Sequence, residues 1–226
     1  MKYFLIFLLM IQICANAYVN INILGTGLLL PYSIGIIGYI KKHIPIKSYR
    51  LTGVSGGAWC SLLYALENDL SDHDKIWNYT MGDKNIKLNI LSNLDLFHNN
   101  IENNLKLRYK GVDAEMIKHI SILASRYDNK KIKLYSEKKS EFKNINDLID
   151  FCTCSSYIPY ISGVLLCKEY DNKYYMDGDI TRDVKLINIK SSYSSLSIHR
   201  HMWGRKFSLS NYIYSDINKS RELFEL

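Results

Sequence analysis

Two stretches near the start of the chain share one arrangement: a strand-forming run, a glycine turn, and an apolar helix-forming run. The first is "YVNINILGTGLLLPYSIGIIGYIKKH" at residues 18–43, and the second is "SYRLTGVSGGAWCSLLYALEN" at residues 48–68. In the first, residues 18–24 read as a strand, Gly25, Thr26 and Gly27 as a tight turn, and residues 32–42 as a helix ending in basic residues. In the second, a β-branched and aromatic run precedes glycines, after which Trp59, Leu62, Leu63 and Leu66 recur at helical spacing. Two such units joined by a right-handed crossover lay their strands side by side and parallel, with both glycine turns at the carboxyl edge of the sheet. The expected fold class is therefore α/β with a mainly parallel central sheet, and the two turns are expected to face one another.

A chain of 226 residues, of which 47% are hydrophobic, suits a single domain with a substantial core. Its first residues, "MKYFLIFLLMIQICANA", combine Lys2, an apolar run and a small-x-small ending at Ala15 and Ala17. This pattern predicts a secretory signal peptide over 1–17, cleaved after Ala17, with the folded domain at 18–226. A membrane anchor is the alternative, although the apolar run is shorter than the roughly 20 residues that span a bilayer. The expected location is the secretory pathway or the cell exterior, with Asn78 and Asn218 as glycosylation acceptors. Four cysteines follow the expected cut, Cys60, Cys152, Cys154 and Cys167, at spacings that form neither a metal motif nor a redox pair. The net charge of +7 comes from scattered lysines without a nucleic-acid-binding signature, so no nucleic-acid partner is expected. A basic surface of this kind is also drawn to anionic membranes.

Within the second unit, Gly53, Val54, Ser55, Gly56 and Gly57 fit Gly-x-Ser-x-Gly, the pattern of a sharp strand-to-helix turn that presents a serine hydroxyl. A helix start directly after the serine places unpaired N–H groups and a positive dipole end beside it, where an alkoxide or oxyanion is favoured. The Gly25 turn resembles a dinucleotide-binding turn only in part. Leu30 stands where the third glycine belongs, and the stretch at 41–50 is basic where a ribose-binding acid is needed. In acyl transfer the same turn has another use, because pre-aimed amides hold the negative oxygen of a tetrahedral intermediate. Ser55 then needs a base. Asp177 in "YYMDGDITRD" follows a strand-like aromatic run and precedes Gly178, which lets the chain turn and aim the carboxylate; an ordinary Asp-Gly hairpin turn is the alternative. A triad of Ser55, Asp177 and His199 or His201 also matches a known chain order. His43, His73, His98 and His119 are dispersed and read as surface or packing residues, and no metal site or cofactor is expected.

Taken in order, "ILGTGLLLPYSIGII", "LTGVSGGAW", "SSYIPYISG" and "YMDGDITRD" resemble the patatin-like phospholipases, especially their animal triglyceride-lipase and adiponutrin branch. The resemblance covers nearly all of the mature chain, weakening in the tail. It implies a three-layer α/β/α fold and a lipid acyl hydrolase acting on phospholipids or acylglycerols at a membrane or lipid surface. It further implies that Ser55 is the nucleophile, Asp177 the base, and Gly25, Thr26 and Gly27 the oxyanion turn, with Gly53, Gly57 and Gly178 as motif glycines. Residues 156–163 then line the acyl site. The sequence departs from the family pattern twice. Thr26 replaces a central glycine, and since a β-branched residue resists positive φ, the turn is expected to be altered there. Asp179 replaces a small residue and brings a second carboxylate close to Asp177. Given these two departures, and Thr26 above all, a catalytically inactive lipid-binding relative is the competing expectation. Finally, Met116, Ile117, Ile120, Leu123 and Ala124 fall at helical spacing and predict an amphipathic helix, and residues 211–226 predict a closing helix.

Overall fold

A computed structural model describes residues 18–27, 30–44, 46–70, 72, 76, 94–181, 183–187 and 194–198. The expected leader, His73, Asn78, His199, His201, Asn218 and the tail helix lie outside the described residues.

Both early units form as their sequences require. Strand β1 (Tyr18–Ile23) leads through the Gly25 turn to helix α1 (Leu30–His43), and strand β2 (Ser48–Val54) passes directly into helix α2 (Gly56–Leu66). Lys41, Lys42 and His43 close α1, where cations complement the helix dipole. β1 and β2 pair in parallel, with Ile21 opposite Leu51 and Ile23 opposite Gly53, so both turns leave the same sheet edge. Residues 19–23 and 51–54 are buried without alternation, as in strands covered on both faces.

Helix α3 (Leu94–Arg108) and a single 3-10 turn (Ala114–Met116) precede β3 (Ile120–Asp128), which continues into β4 (Lys133–Lys139). Helix α4 (Ile145–Ser155) follows, started by Asn144, whose side chain accepts from Asp147 N–H at 3.0 Å, a Ser/Thr/Asn-type cap. Then come β5 (Lys168–Tyr170), β6 (Lys173–Met176), the short α5 (Val184–Ile187) and β7 (Ser194–Ile198). One seven-stranded sheet results, in the order β5-β6-β3-β2-β1-β7 with β4 also on β3. β7, β1, β2 and β3 are mutually parallel, while β4, β5 and β6 pair in antiparallel fashion. The α/β class holds, with a sheet that is mixed and parallel at its centre.

The expected helix at residues 116–124 is corrected. Only Ala114–Met116 is helical, as one 3-10 turn, and Ile120, Leu123 and Ala124 belong to β3. The four consecutive residues 122–125 are buried. An apolar run buried on both faces matches helical spacing as readily as strand spacing, so periodicity alone misleads there.

Strand β3 positions the site. A strand has two edges, and β4 occupies one of them along residues 122–128. β2, opposite residues 120–123, and β6, opposite residues 125–127, therefore share the other. β2 runs parallel to β3 and β6 antiparallel, so their carboxyl ends approach head to head and both stop at the level of Ala124. The next residues of the chain are Ser55 and Asp177.

The main core joins β1, β2 and β3 to α1, α2, α3 and α4, with Trp59 and Phe151 among its fully buried side chains. Phe151 of α4 packs on Tyr170 and Tyr175 at centroid distances of 5.1 and 5.2 Å, fastening the β5–β6 hairpin to the helix. Val54 and Leu123, which pair across β2 and β3, belong instead to a second buried cluster with Ile187 of α5.

Candidate active site

Ser55 is held in a conformation that non-glycine residues rarely adopt, with φ 55° and ψ −127°. Such strain persists only where surrounding structure enforces it, and it concentrates at functional positions. Here the enforcement comes from close approach: a Cβ on Gly57 would sit 1.9 Å from the Ile23 carbonyl oxygen, and one on Gly53 would sit 2.6 Å from Ala58 Cα. Glycine at 57 thus lets the start of α2 lie directly against the end of β1. A serine before a helix ordinarily caps it with its hydroxyl, but Ser55 makes no side-chain cap. Its hydroxyl donates instead to Asp177 Oδ2 at 2.6 Å.

Asp177 caps β6 and is 6% exposed, as is Ser55. Its N–H donates to the Tyr157 carbonyl at 2.7 Å, and its own carbonyl accepts from Ser125 Oγ at 2.7 Å. Asp179 N–H donates to Oδ1 at 2.8 Å, leaving Oδ2 for the serine. Burial pushes the carboxyl up from 3.8 to about 6, the Ser55 hydroxyl and the Asp179 N–H pull against that rise, and the Asp179 charge adds to it. A carboxylate in this range is a better base for an alcohol than an ordinary aspartate, because its pKa lies near the working pH. Asp177 and Gly178 do not form the alternative hairpin turn. Gly178 N–H donates to the Ser155 carbonyl at 2.8 Å, and a Cβ on Gly178 would lie 2.5 Å from the Leu123 carbonyl oxygen.

The turn at Gly25, Thr26 and Gly27 adjoins this pair. A Cβ on Gly56 would lie 2.5 Å from Thr26 Oγ1, so the turn rests on the first residue of α2. The expected distortion at Thr26 is corrected: the positive φ of this turn falls on Gly27, at 51°, and not on Thr26. A β-branched residue is therefore accommodated without left-handed strain. Asp179 closes the ring, since a Cβ on Gly25 would lie 1.6 Å from its Oδ2. Its carboxylate rests on the turn itself.

Residues that sequence reasoning missed hold the pair in register. Ser155, the last residue of α4, accepts from Ser55 N–H through Oγ at 2.9 Å and donates to the Leu123 carbonyl at 2.5 Å, while its own carbonyl takes Gly178 N–H. Ser156 accepts from Trp59 Nε1 at 3.0 Å, and Tyr157 takes Asp177 N–H. Ser125 Oγ accepts from Thr181 N–H at 3.1 Å. The signal for this was slight: small hydroxyl residues ending an apolar helix. Ser155→Ala leaves the buried Ser55 N–H and Leu123 carbonyl without these partners, a loss of about 1–3 kcal/mol. We expect an unfolding free energy lower by that amount, seen as a lower denaturation midpoint, and a weakened Ser55–Asp177 alignment. Parallel denaturant titrations of the two forms check it, and an unchanged midpoint would count against this role for Ser155.

The other expected residues fall elsewhere. Cys60, Cys152, Cys154 and Cys167 are free and buried, and burial pushes all four thiols up, the opposite of a reactive thiolate. His43 and His119 are exposed. His98 is buried, which lowers it to about 4 with help from the Lys168 charge. Among the described residues no group of three His, Cys, Asp or Glu is placed to hold a metal, and no helix is long and apolar enough to cross a membrane. Comparison with models of known protein families finds no match, and neither does comparison with curated proteins.

Proposed function

We propose that the chain is a lipid acyl hydrolase, cleaving fatty-acyl esters of phospholipids or acylglycerols through Ser55 and Asp177 within a patatin-like three-layer α/β/α domain. The observation that carries this reading is the 2.6 Å hydrogen bond from the Ser55 hydroxyl to Asp177 Oδ2 at a strained, buried strand-to-helix turn. Asp177 takes the hydroxyl proton as Oγ attacks the ester carbonyl carbon, and the resulting oxyanion is held by amides of the Gly25 turn and of the α2 N-terminus. Collapse of the intermediate breaks the ester C–O bond, the leaving alcohol takes the proton from Asp177, and the acyl group stays on Oγ. Water then gives a proton to Asp177 and attacks the acyl carbon. The fatty acid leaves, and Ser55 recovers its proton. Secretion and work at a lipid surface belong to the same proposal, as does the absence of any cofactor. Fatty-acid release from a mixed phospholipid and acylglycerol panel, by the intact chain and by Ser55→Ala, tests the reading. Release by neither, or by both equally, overturns it.

A second reading, an inactive lipid-binding relative, is favoured by one observation, the Asp179 carboxylate resting on Gly25. A fixed negative charge beside the oxyanion turn opposes the charge that develops in the transition state. Two unit charges about 4 Å apart at an effective dielectric near 20 interact by about 4 kcal/mol. Asp179 is partly open to solvent, and screening leaves a fraction of that. Asp179→Asn keeps the shape and removes the charge, so kcat/KM is expected to rise about tenfold. A fall in kcat/KM with an unchanged fold would assign Asp179 a supporting role instead.

A further inference from the structure

The segment between α4 and β5 presents apolar side chains outward in a way the rest of the described surface does not. Val164 is 90% exposed, Tyr160 71% and Leu165 64%, and Ile161 and Leu166 are also exposed. These five fall within seven consecutive residues. Scattered apolar residues on a surface are ordinary, whereas a contiguous cluster marks an interaction site.

The loop is held by its own hydrogen bonds. Tyr160 N–H donates to the Leu165 carbonyl at 3.3 Å, and Tyr157 Oη donates to the same oxygen at 2.9 Å. Ile161 and Ser162 N–H both donate to the Ile158 carbonyl, at 3.2 and 2.9 Å, while Ile158 N–H donates to Ser162 Oγ at 3.0 Å. Tyr160 takes a left-handed φ of 61° inside this network. The segment also starts at the site: Tyr157, two residues after the end of α4, accepts the backbone N–H of Asp177 through its carbonyl. Ile180, three residues beyond Asp177, is exposed as well.

From this geometry we infer that residues 160–166 form an interfacial loop that enters a lipid surface and sets the Ser55–Asp177 site against it. A lipid occupant fits for three reasons. Val164, Tyr160 and Leu165 each leave well over half of their surface open, and side chains so open can enter a fluid interface without a complementary groove. The backbone N–H groups of residues 158, 160, 161 and 162 are satisfied within the loop and Pro159 has none, so this half leaves water without orphaned donors. The rest of the loop and the Tyr160 hydroxyl find polar partners at headgroup level, where aromatic residues with a polar tip concentrate. The chain's net charge of +7 adds attraction to anionic headgroups. The inference rests on the proposed function for its biological sense, but the binding it predicts is independent of turnover.

Full-length chain, its Ser55→Ala form and a Val164→Asp/Leu165→Asp variant are floated with vesicles of phosphatidylcholine alone and of phosphatidylcholine with phosphatidylglycerol. Hydrolysis of a soluble short-chain ester and thermal unfolding are measured alongside. The expected result is binding by the first two forms and about tenfold weaker binding by the loop variant to both vesicle types, with unfolding and soluble-ester turnover unchanged. A Val164→Ser/Leu165→Ser variant is expected to bind at an intermediate level. The inference is overturned if the loop variant binds like the intact chain, if binding depends on phosphatidylglycerol and salt alone, or if the loop substitutions change only self-association by gel filtration. Soluble-ester turnover without vesicle binding defeats this inference alone. Loop-dependent vesicle binding without any turnover defeats the hydrolase reading and leaves the interfacial loop standing.

Discussion

Ser55→Ala is expected to lower ester hydrolysis by a factor of about 10⁴ or more and to abolish labelling by a fluorophosphonate. The hydroxyl forms the covalent bond in the proposed reaction, and removal of a nucleophile collapses the covalent route to what the oxyanion site and binding alone supply. Alanine at 55 carries the same Cβ as serine, so the strained φ of 55° is neither relieved nor worsened, and the loss reports chemistry more than folding. Asp177 Oδ2 loses the Ser55 hydroxyl donor in the process. Since that hydrogen bond pulls the carboxyl down, the carboxyl of the variant titrates higher still. Equal fatty-acid release by both forms would place the chemistry at another residue.

The second large effect belongs to Asp177→Asn, which is expected to lose activity by a factor of about 10³ while making the fold more stable. Asparagine cannot take the serine proton, so general base catalysis is removed. The activity of the intact chain should fall about tenfold per pH unit below about 6, because the folded-state carboxyl, raised from 3.8 to about 6, is then protonated. The stability change runs the other way. A carboxyl whose folded pKa is raised binds its proton more tightly in the folded chain than in the unfolded one. Its favourable contribution is complete below about pH 4 and is lost as pH rises through about 6. A rise of about two units leaves the charged group costing up to about 3 kcal/mol at neutral pH. Asp177→Asn removes that charge and should raise the unfolding free energy near pH 7.5, with the difference shrinking towards pH 4. Chemical denaturation of both forms across that range measures it. A variant less stable than the parent at pH 7.5 would mean that burial does not burden Asp177 as described.

Much of the site could be read before any fold was known, and the reasons are local. The glycines at 53 and 57 and the serine between them announce a sharp turn because only a few residue types fit such a backbone, and the flanking strand and helix patterns lie within a dozen residues. Thr26 shows the limit of local reading. Its β-branched side chain predicts a distorted turn, whereas the left-handed residue is Gly27, one position on, where glycine meets the demand. Residues 116–124 show another limit, since a run buried on both faces carries no periodicity that separates strand from helix. Ser155 was illegible for a third reason. Its role depends on what lies across 100 residues of chain from it, namely the N–H of Ser55.

Sequence alone determined that two strand–turn–helix units begin the domain, that Ser55 sits on a sharp turn, and that Asp177 ends a strand before a glycine. Each of these follows from allowed backbone angles and side-chain spacing within a few residues. Only the tertiary structure decided that β2 and β6 share one edge of β3 and meet at Ala124, which joins a hydroxyl to a carboxylate 122 positions away. It also decided that Asp179 rests on Gly25. Contacts of that range are selected by the packing of whole strands and helices against one another, and no short stretch of chain carries that information.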